Sequence, residues 1–219
     1  MTLKLYLHPL SSYCQKAETA FYENDTPFET RMLDGGEPVA SEFVGLWPIG
    51  KFPILTDGER LITEATIIVE YLDVHYPGAT RFIPQEPDAA IEARMLDRFF
   101  DNYISTPMAA VVAESIRRDG GSDPAGADRA RKQLETAYEV LDRWMKDREW
   151  AAAGRFGLAD CAAAPALLYA DWTHPIPRRL AGVWAYRHRL LARPSYARAL
   201  DEARPYRHMF PLGAPKDRD

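Results

Sequence analysis

Strand-like alternation is confined to the first eighty of the 219 residues, and everything beyond them carries helical spacing. A chain patterned this way joins a small α/β unit to a helical one. Leu3, Leu5 and Leu7 alternate with Lys4, Tyr6 and His8 in a first strand that ends at Pro9. From about Ser12, residues Cys14, Ala17, Ala20 and Phe21 recur on one helical face, which closes near Asn24-Asp25. A second strand is read at 27–32, then a Gly35-Gly36 break and a short helix at about 40–45. Phe52-Pro53-Ile54-Leu55 reads as a third strand opened by a proline, where the missing N–H costs no ladder bond. A turn at Asp57-Gly58 leads to a fourth strand at 60–62, and Ile67, Ile68, Tyr71 and Leu72 mark a helix ended by Pro77-Gly78. The order over residues 1–80 is βαβαββα.

A linker at 84–87 separates this unit from an all-helical domain at 88–219. Apolar residues between 91 and 116 keep helical spacing, interrupted only by Pro107, which predicts one long amphipathic helix with a bend. Gly120-Gly121-Ser122-Asp123-Pro124 reads as a loop, and Leu134, Ala137, Tyr138, Leu141, Trp144 and Met145 line the next helix. Helical patterns continue at about 158–172, 178–192 and 195–204.

With 47% hydrophobic residues and charges of both signs, the chain is too apolar for disorder. The net charge of -5 supplies no field to gather nucleic acid or an anionic membrane surface, so neither is expected as a partner. Residues 174–209 hold eight arginines against Asp201 and Glu202, which reads as Arg-studded surface helices or as a weak pull on an anionic ligand. Cys14 and Cys161 form no Cys-x-x-Cys or His/Cys ligand pattern, so no metal and no redox dithiol is expected. No run approaches the ~18 apolar residues of a membrane span. Met1 leads almost directly into the first strand without a charged and apolar leader, so a cytoplasmic location is expected.

Three places can carry chemistry. Pro9-Leu10-Ser11-Ser12-Tyr13-Cys14 joins the first strand to the first helix, where free N–H groups and the positive dipole end favour an anion. Ser11 or Ser12 there is either an N-cap or an anion contact; Cys14, on the apolar face, reads as a small core residue. Lys51-Phe52-Pro53 opens the third strand. Glu64-Ala65-Thr66 opens the third helix and makes a second anion site, although capping explains Glu64 equally well.

These places, in this order on a βαβαββα half followed by a long helix, resemble the glutathione transferase family over nearly the whole chain. The resemblance implies a thioredoxin-like N-terminal domain that binds glutathione as co-substrate, an all-α domain that supplies the electrophile pocket, and a homodimer. Ser11 matches the hydroxyl that bonds the glutathione sulfur in serine-using classes, with Ser12 its nearest competitor. Pro53 matches the family's cis-proline, Phe52 the residue whose backbone pairs with the cysteinyl part, and Lys51 would face the glycyl carboxylate. Glu64 with Ala65 matches a Glu-Ser pair that holds the γ-glutamyl end. Ala65 lacks that hydroxyl, which would lower glutathione affinity by about one or two decades, with Thr66 the alternative. Leu46-Trp47-Pro48 departs from the usual Asn-Pro, and Trp47 reads as packing. Gly157-Leu158-Ala159-Asp160 matches the family's helix-capping box, with Gly157 in place of Ser or Thr.

By the same resemblance, Leu10, Tyr103, Met108 and Tyr206 would line the electrophile pocket beside Pro9, Pro107 and Phe210. Asp101 would reach the glutathione amine of the other subunit. A free thiol is only ~3% thiolate at pH 7; lowering its pKa by about two units raises this to ~75%, a gain of about 25-fold. Holding the electrophile must supply much of the rest. None of the five histidines has a spacing that pairs it with Ser11. The leading expectation is conjugation of glutathione to a small hydrophobic electrophile. The alternatives are glutathione-dependent isomerisation, dehalogenation or peroxide reduction, or a binding protein without turnover.

Overall fold

The computed structural model describes residues 2–117 and 121–218, so Gly120 of the expected 120–124 loop lies outside the described residues. Four strands form one mixed sheet in the order β2-β1-β3-β4: β1 (Leu3–Leu7), β2 (Phe28–Met32), β3 (Ile54–Asp57) and β4 (Arg60–Thr63). β1 runs parallel to β2 and antiparallel to β3, and β3 pairs antiparallel with β4. Gly58 has φ 61° in the two-residue β3–β4 loop, a conformation glycine adopts without penalty. β1 is covered on both faces. Leu3, Leu5 and Leu7 enter the main core, while Tyr6 packs with Phe43 and Ile54 and donates to Glu42 Oε1 at 2.6 Å.

Three helices complete this half: α1 (Ser12–Glu23), α2 (Val39–Leu46) and α3 (Ala65–His75). The apolar stripe of α1 is buried as predicted, and so are Gln15, Lys16, Glu18 and Thr19 on its other sides. The reason is that α1 lies between the sheet half and the helical half. Its polar side chains meet partners there: Gln15 Nε2 donates to Tyr169 Oη at 2.8 Å, and Tyr196 Oη donates to Gln15 Oε1 at 3.1 Å.

The helical half contains α4 (Pro87–Phe99), α5 (Thr106–Ile116), α6 (Pro124–Met145), α7 (Leu158–Thr173), α8 (Ala181–Leu191) and α9 (Pro194–Ala203), followed by a 3₁₀ turn at Arg204–Met209. The single bent helix expected over 91–116 is instead two α-helices joined by a π-helical segment, Phe100–Ser105. Pro107 has no N–H to return to the preceding turn, and the Thr106 N–H bonds Asp101 O, five residues back. α7 is buried from Leu158 to Trp172. Its N-cap is glycine because a Cβ at residue 157 would lie 2.8 Å from Phe82 O. Asp160 supplies half of a capping box, its Oδ2 accepting the Gly157 N–H at 2.9 Å.

One hydrophobic core runs through both halves, from Leu5 and Phe21 to Phe100, Leu167 and Tyr186. The Arg-rich segment is tied into the protein: Arg178 lies 4.0 Å over Trp184, Arg187 is buried against Asp171, and Arg198 lies 4.0 Å over Tyr22. Arg193 and Ser195 both bond Glu23 at the end of α1, clasping the halves together. Among the described residues, no helix is long and apolar enough to cross a membrane.

Candidate active site

The chain leaves β1 at Leu7 and turns sharply: the Ser11 N–H donates to His8 O at 2.9 Å, and Ser11 holds extended backbone angles as N-cap of α1. Its Oγ accepts the Cys14 N–H at 3.3 Å. That bond uses an oxygen lone pair, and the hydroxyl proton remains for an anion at the positive helix end. Ser12 is the half-buried first residue of the helix. Cys14 is fully buried, and burial pushes its thiol up to about 12. It is a core thiol. His8 Nδ1 accepts the Leu10 N–H at 3.2 Å, and burial holds the ring below its usual pKa. Tyr206 packs edge-on against His8 with centroids 5.2 Å apart, so Leu10 and Tyr206 both border the Ser11 turn.

Lys51 and Phe52 are exposed where the chain enters β3, and buried Pro53 follows a cis peptide bond. At the head of α3, Glu64 takes φ 70° and ψ 120°, a conformation costing about 1–3 kcal/mol for a residue with a side chain. Among the described residues no side chain caps the helix, so its first N–H groups and dipole end can face an anionic ligand. Ala65 is buried at the first helical position.

Behind this helix end lies a charged cluster that local spacing does not reveal. Lys16, 1% exposed, sits 2.6 Å from Asp97 Oδ1 and donates to Asp101 Oδ2 at 2.9 Å and to Thr66 Oγ1 at 2.8 Å. Thr66 in turn donates to Asp97 Oδ2 at 2.9 Å, so its hydroxyl is turned inward. Arg98 reaches Asp97, Asp101 and Thr66 from the surface. Burial raises the Asp101 pKa, with Lys16 and Arg98 opposing it. Burial pushes the nearby Tyr13 phenol up to about 12, assisted by Asp101. The only sequence hint was the four-residue spacing of Asp97 and Asp101 on one helix face, because Thr66 and Asp101 lie 50 and 85 positions from Lys16.

The four expected pocket residues are divided. Leu10 and Tyr206 border the Ser11 turn, and Met108 is buried in the core. Tyr103 instead lines a groove of about 770 Å³ with Phe99, Pro107, Val140 and Trp144, which includes neither Leu10, Met108 nor Tyr206. Asp101 is turned onto Lys16 and Arg98 of its own chain. Two N-termini of helices, one presenting a serine hydroxyl and one left uncapped, can therefore each receive an anionic group.

Comparison with known families decides between generic anion sites and a specific fold. The pattern described as glutathione S-transferase, N-terminal domain, matches residues 5–80, and that described as glutathione S-transferase, C-terminal domain, matches residues 86–194. The chain belongs to the glutathione S-transferase family. Its sheet half is the thioredoxin-like domain of that family and its helical half the all-α domain. The chain is 35% identical to glutathione S-transferase theta-1 of Homo sapiens over 183 residues, 77% of this chain and 73% of that one. It is 29% identical to dichloromethane dehalogenase of Methylorubrum extorquens over 176 residues, 74% of this chain but only 60% of the dehalogenase. Among solved structures, a glutathione S-transferase of Methylobacterium radiotolerans in complex with glutathione sulfonate superposes with TM-score 0.78 at 25% identity, covering 91% and 94% of the two chains.

Proposed function

We propose that this transferase-family protein is a cytosolic enzyme that conjugates glutathione, as its thiolate, to a small hydrophobic electrophile. The observation that carries the reading is Ser11, an N-cap hydroxyl at the head of α1 with Cys14 beside it buried and protonated. Ser11 donates to the thiolate while the α1 dipole favours the negative charge, and the thiol proton passes to solvent water, so no residue need act as a base at that atom. Residues 1–80 hold glutathione: Lys51 meets the glycyl carboxylate, Phe52 with Pro53 pairs with the cysteinyl backbone, and the head of α3 at Glu64 and Ala65 receives the γ-glutamyl end. Residues 88–219, with Tyr206, and the loop after β1, with Leu10, supply the electrophile wall nearest the sulfur. The solved relative holding glutathione sulfonate supports the ligand, and the dehalogenase relative keeps halogenated electrophiles among the candidates.

The test is turnover of chlorodinitrobenzene together with the thiolate absorbance of bound glutathione. S11A should lower kcat/KM by about 10- to 100-fold, the worth of one hydrogen bond to a charged group, and raise the pKa of the bound thiol. S12A and C14A should stay within about threefold of wild type on the same scale. Equal activity in all three variants would overturn the assignment. Ala65 favours one second reading, a glutathione-binding protein without turnover; thermal stabilisation by glutathione with no product across an electrophile panel would establish it.

A further inference from the structure

We propose that Arg98 is a further glutathione-binding residue, taking the α-carboxylate of the γ-glutamyl group where Ala65 offers no hydroxyl. This rests on the glutathione reading above. Arg98 Nε and Nη2 are committed to Asp97, Asp101 and Thr66. The two N–H groups of Nη1 remain as donors, on a side chain 48% exposed. Thr66, which the guanidinium touches, directly follows Ala65, so this cation stands at the rim of the uncapped α3 N-terminus. The carboxylates of Asp97 and Asp101 fix the guanidinium before any ligand arrives, and the planar fork bridges both while keeping the two Nη1 donors. Lys16 and Arg98 formally balance Asp97 and Asp101. An α-amino-acid group, with one charge of each sign, therefore enters without leaving an unmatched charge.

The experiment compares glutathione with 4-aminobutanoyl-cysteinylglycine, which lacks only the γ-glutamyl α-carboxylate, by calorimetric titration of wild type, R98Q and R98K. Wild type should bind the decarboxylated analogue about 10- to 100-fold more weakly than glutathione. In R98Q this penalty should shrink by about tenfold or to the part that the α3 N–H groups alone confer, with R98K between them because a point charge replaces the fork. Circular dichroism and melting of each variant check the fold, and R98K preserves the balance of charge if R98Q is unstable. A Cys-Gly analogue carrying a glutaryl group, which keeps the carboxylate and lacks the amine, should lose no more affinity through R98Q than glutathione itself does. Glutathione binding with an undiminished carboxylate penalty in both variants would overturn the inference alone. Wild type that binds neither ligand would overturn the glutathione reading and this inference with it.

Discussion

Glu18 lies on α1 at 2% exposure with no hydrogen-bond partner for Oε2, and burial, aided by Glu202 and opposed by Arg198, pushes its carboxyl up to about 8. Below the unfolded carboxylate pKa both states are protonated; above it the unfolded chain releases a proton that the folded one keeps. Stability from this group is therefore present at low pH and is lost as pH rises toward 8. E18Q should flatten the fall in Tm between pH 5 and 9 and gain most at the alkaline end; parallel melting curves for both proteins would refute the assignment. The carboxyl was not legible in the sequence, because Glu18 lies off the apolar stripe and its surroundings come from α9, far along the chain. Ser11 was legible for the opposite reason, since the strand-to-helix turn that sets it is defined by neighbouring residues, while the cis bond at Pro53 and the cap at Gly157 were reached through the family resemblance.

At the scale of elements, α1 is the piece on which the two halves meet, and Lys16 is the cation that joins it to α3, α4 and the π-helical segment. Removing one partner of a buried ion pair costs more than the pair contributes, since a desolvated charge is left behind. K16M should therefore destabilise the protein by about 3–5 kcal/mol, a fall in Tm of roughly 6–20 °C for a chain of this size. Adding D97N should recover part of that loss, because the stranded carboxylate goes as well. A K16M melting point equal to wild type would mean that Arg98 alone neutralises both aspartates. The βαβαββα order and the helical half followed from periodicity, yet the split at 100–105 did not. One turn of wider helix changes the spacing of apolar residues too little to be seen in a single sequence, and Pro107 announces a bend without specifying the bonds that replace it.

At the scale of the whole molecule, several of the exposed apolar side chains lie on α3, α4 and the groove beyond them: Ile67 on α3, Ile91 and Met95 one turn apart on α4, and Tyr103 and Trp144 around the groove between the π-helical segment and α6. Arg94 holds Glu70 through two bonds of 2.8 and 2.9 Å, a surface link between α4 and α3. A second copy of the chain is the occupant proposed for this face, as the family resemblance implies, since exposed apolar side chains beside a groove mark an interaction surface. Light scattering should then give twice the chain mass, and I91E/M95E should weaken association by about 100-fold or more, from two lost apolar contacts and two carboxylates forced out of water. Ser11, Lys51, Ala65 and Arg98 all belong to one chain, and Asp101 is satisfied by its own Lys16 and Arg98. The separated monomer should consequently keep its thermal stabilisation by glutathione at the same ratio of glutathione concentration to Kd, because that ratio sets the stabilisation. Loss of that stabilisation in a folded monomer would instead mean that the second copy completes the γ-glutamyl end of the site, with Asp101 released from Lys16 to do so.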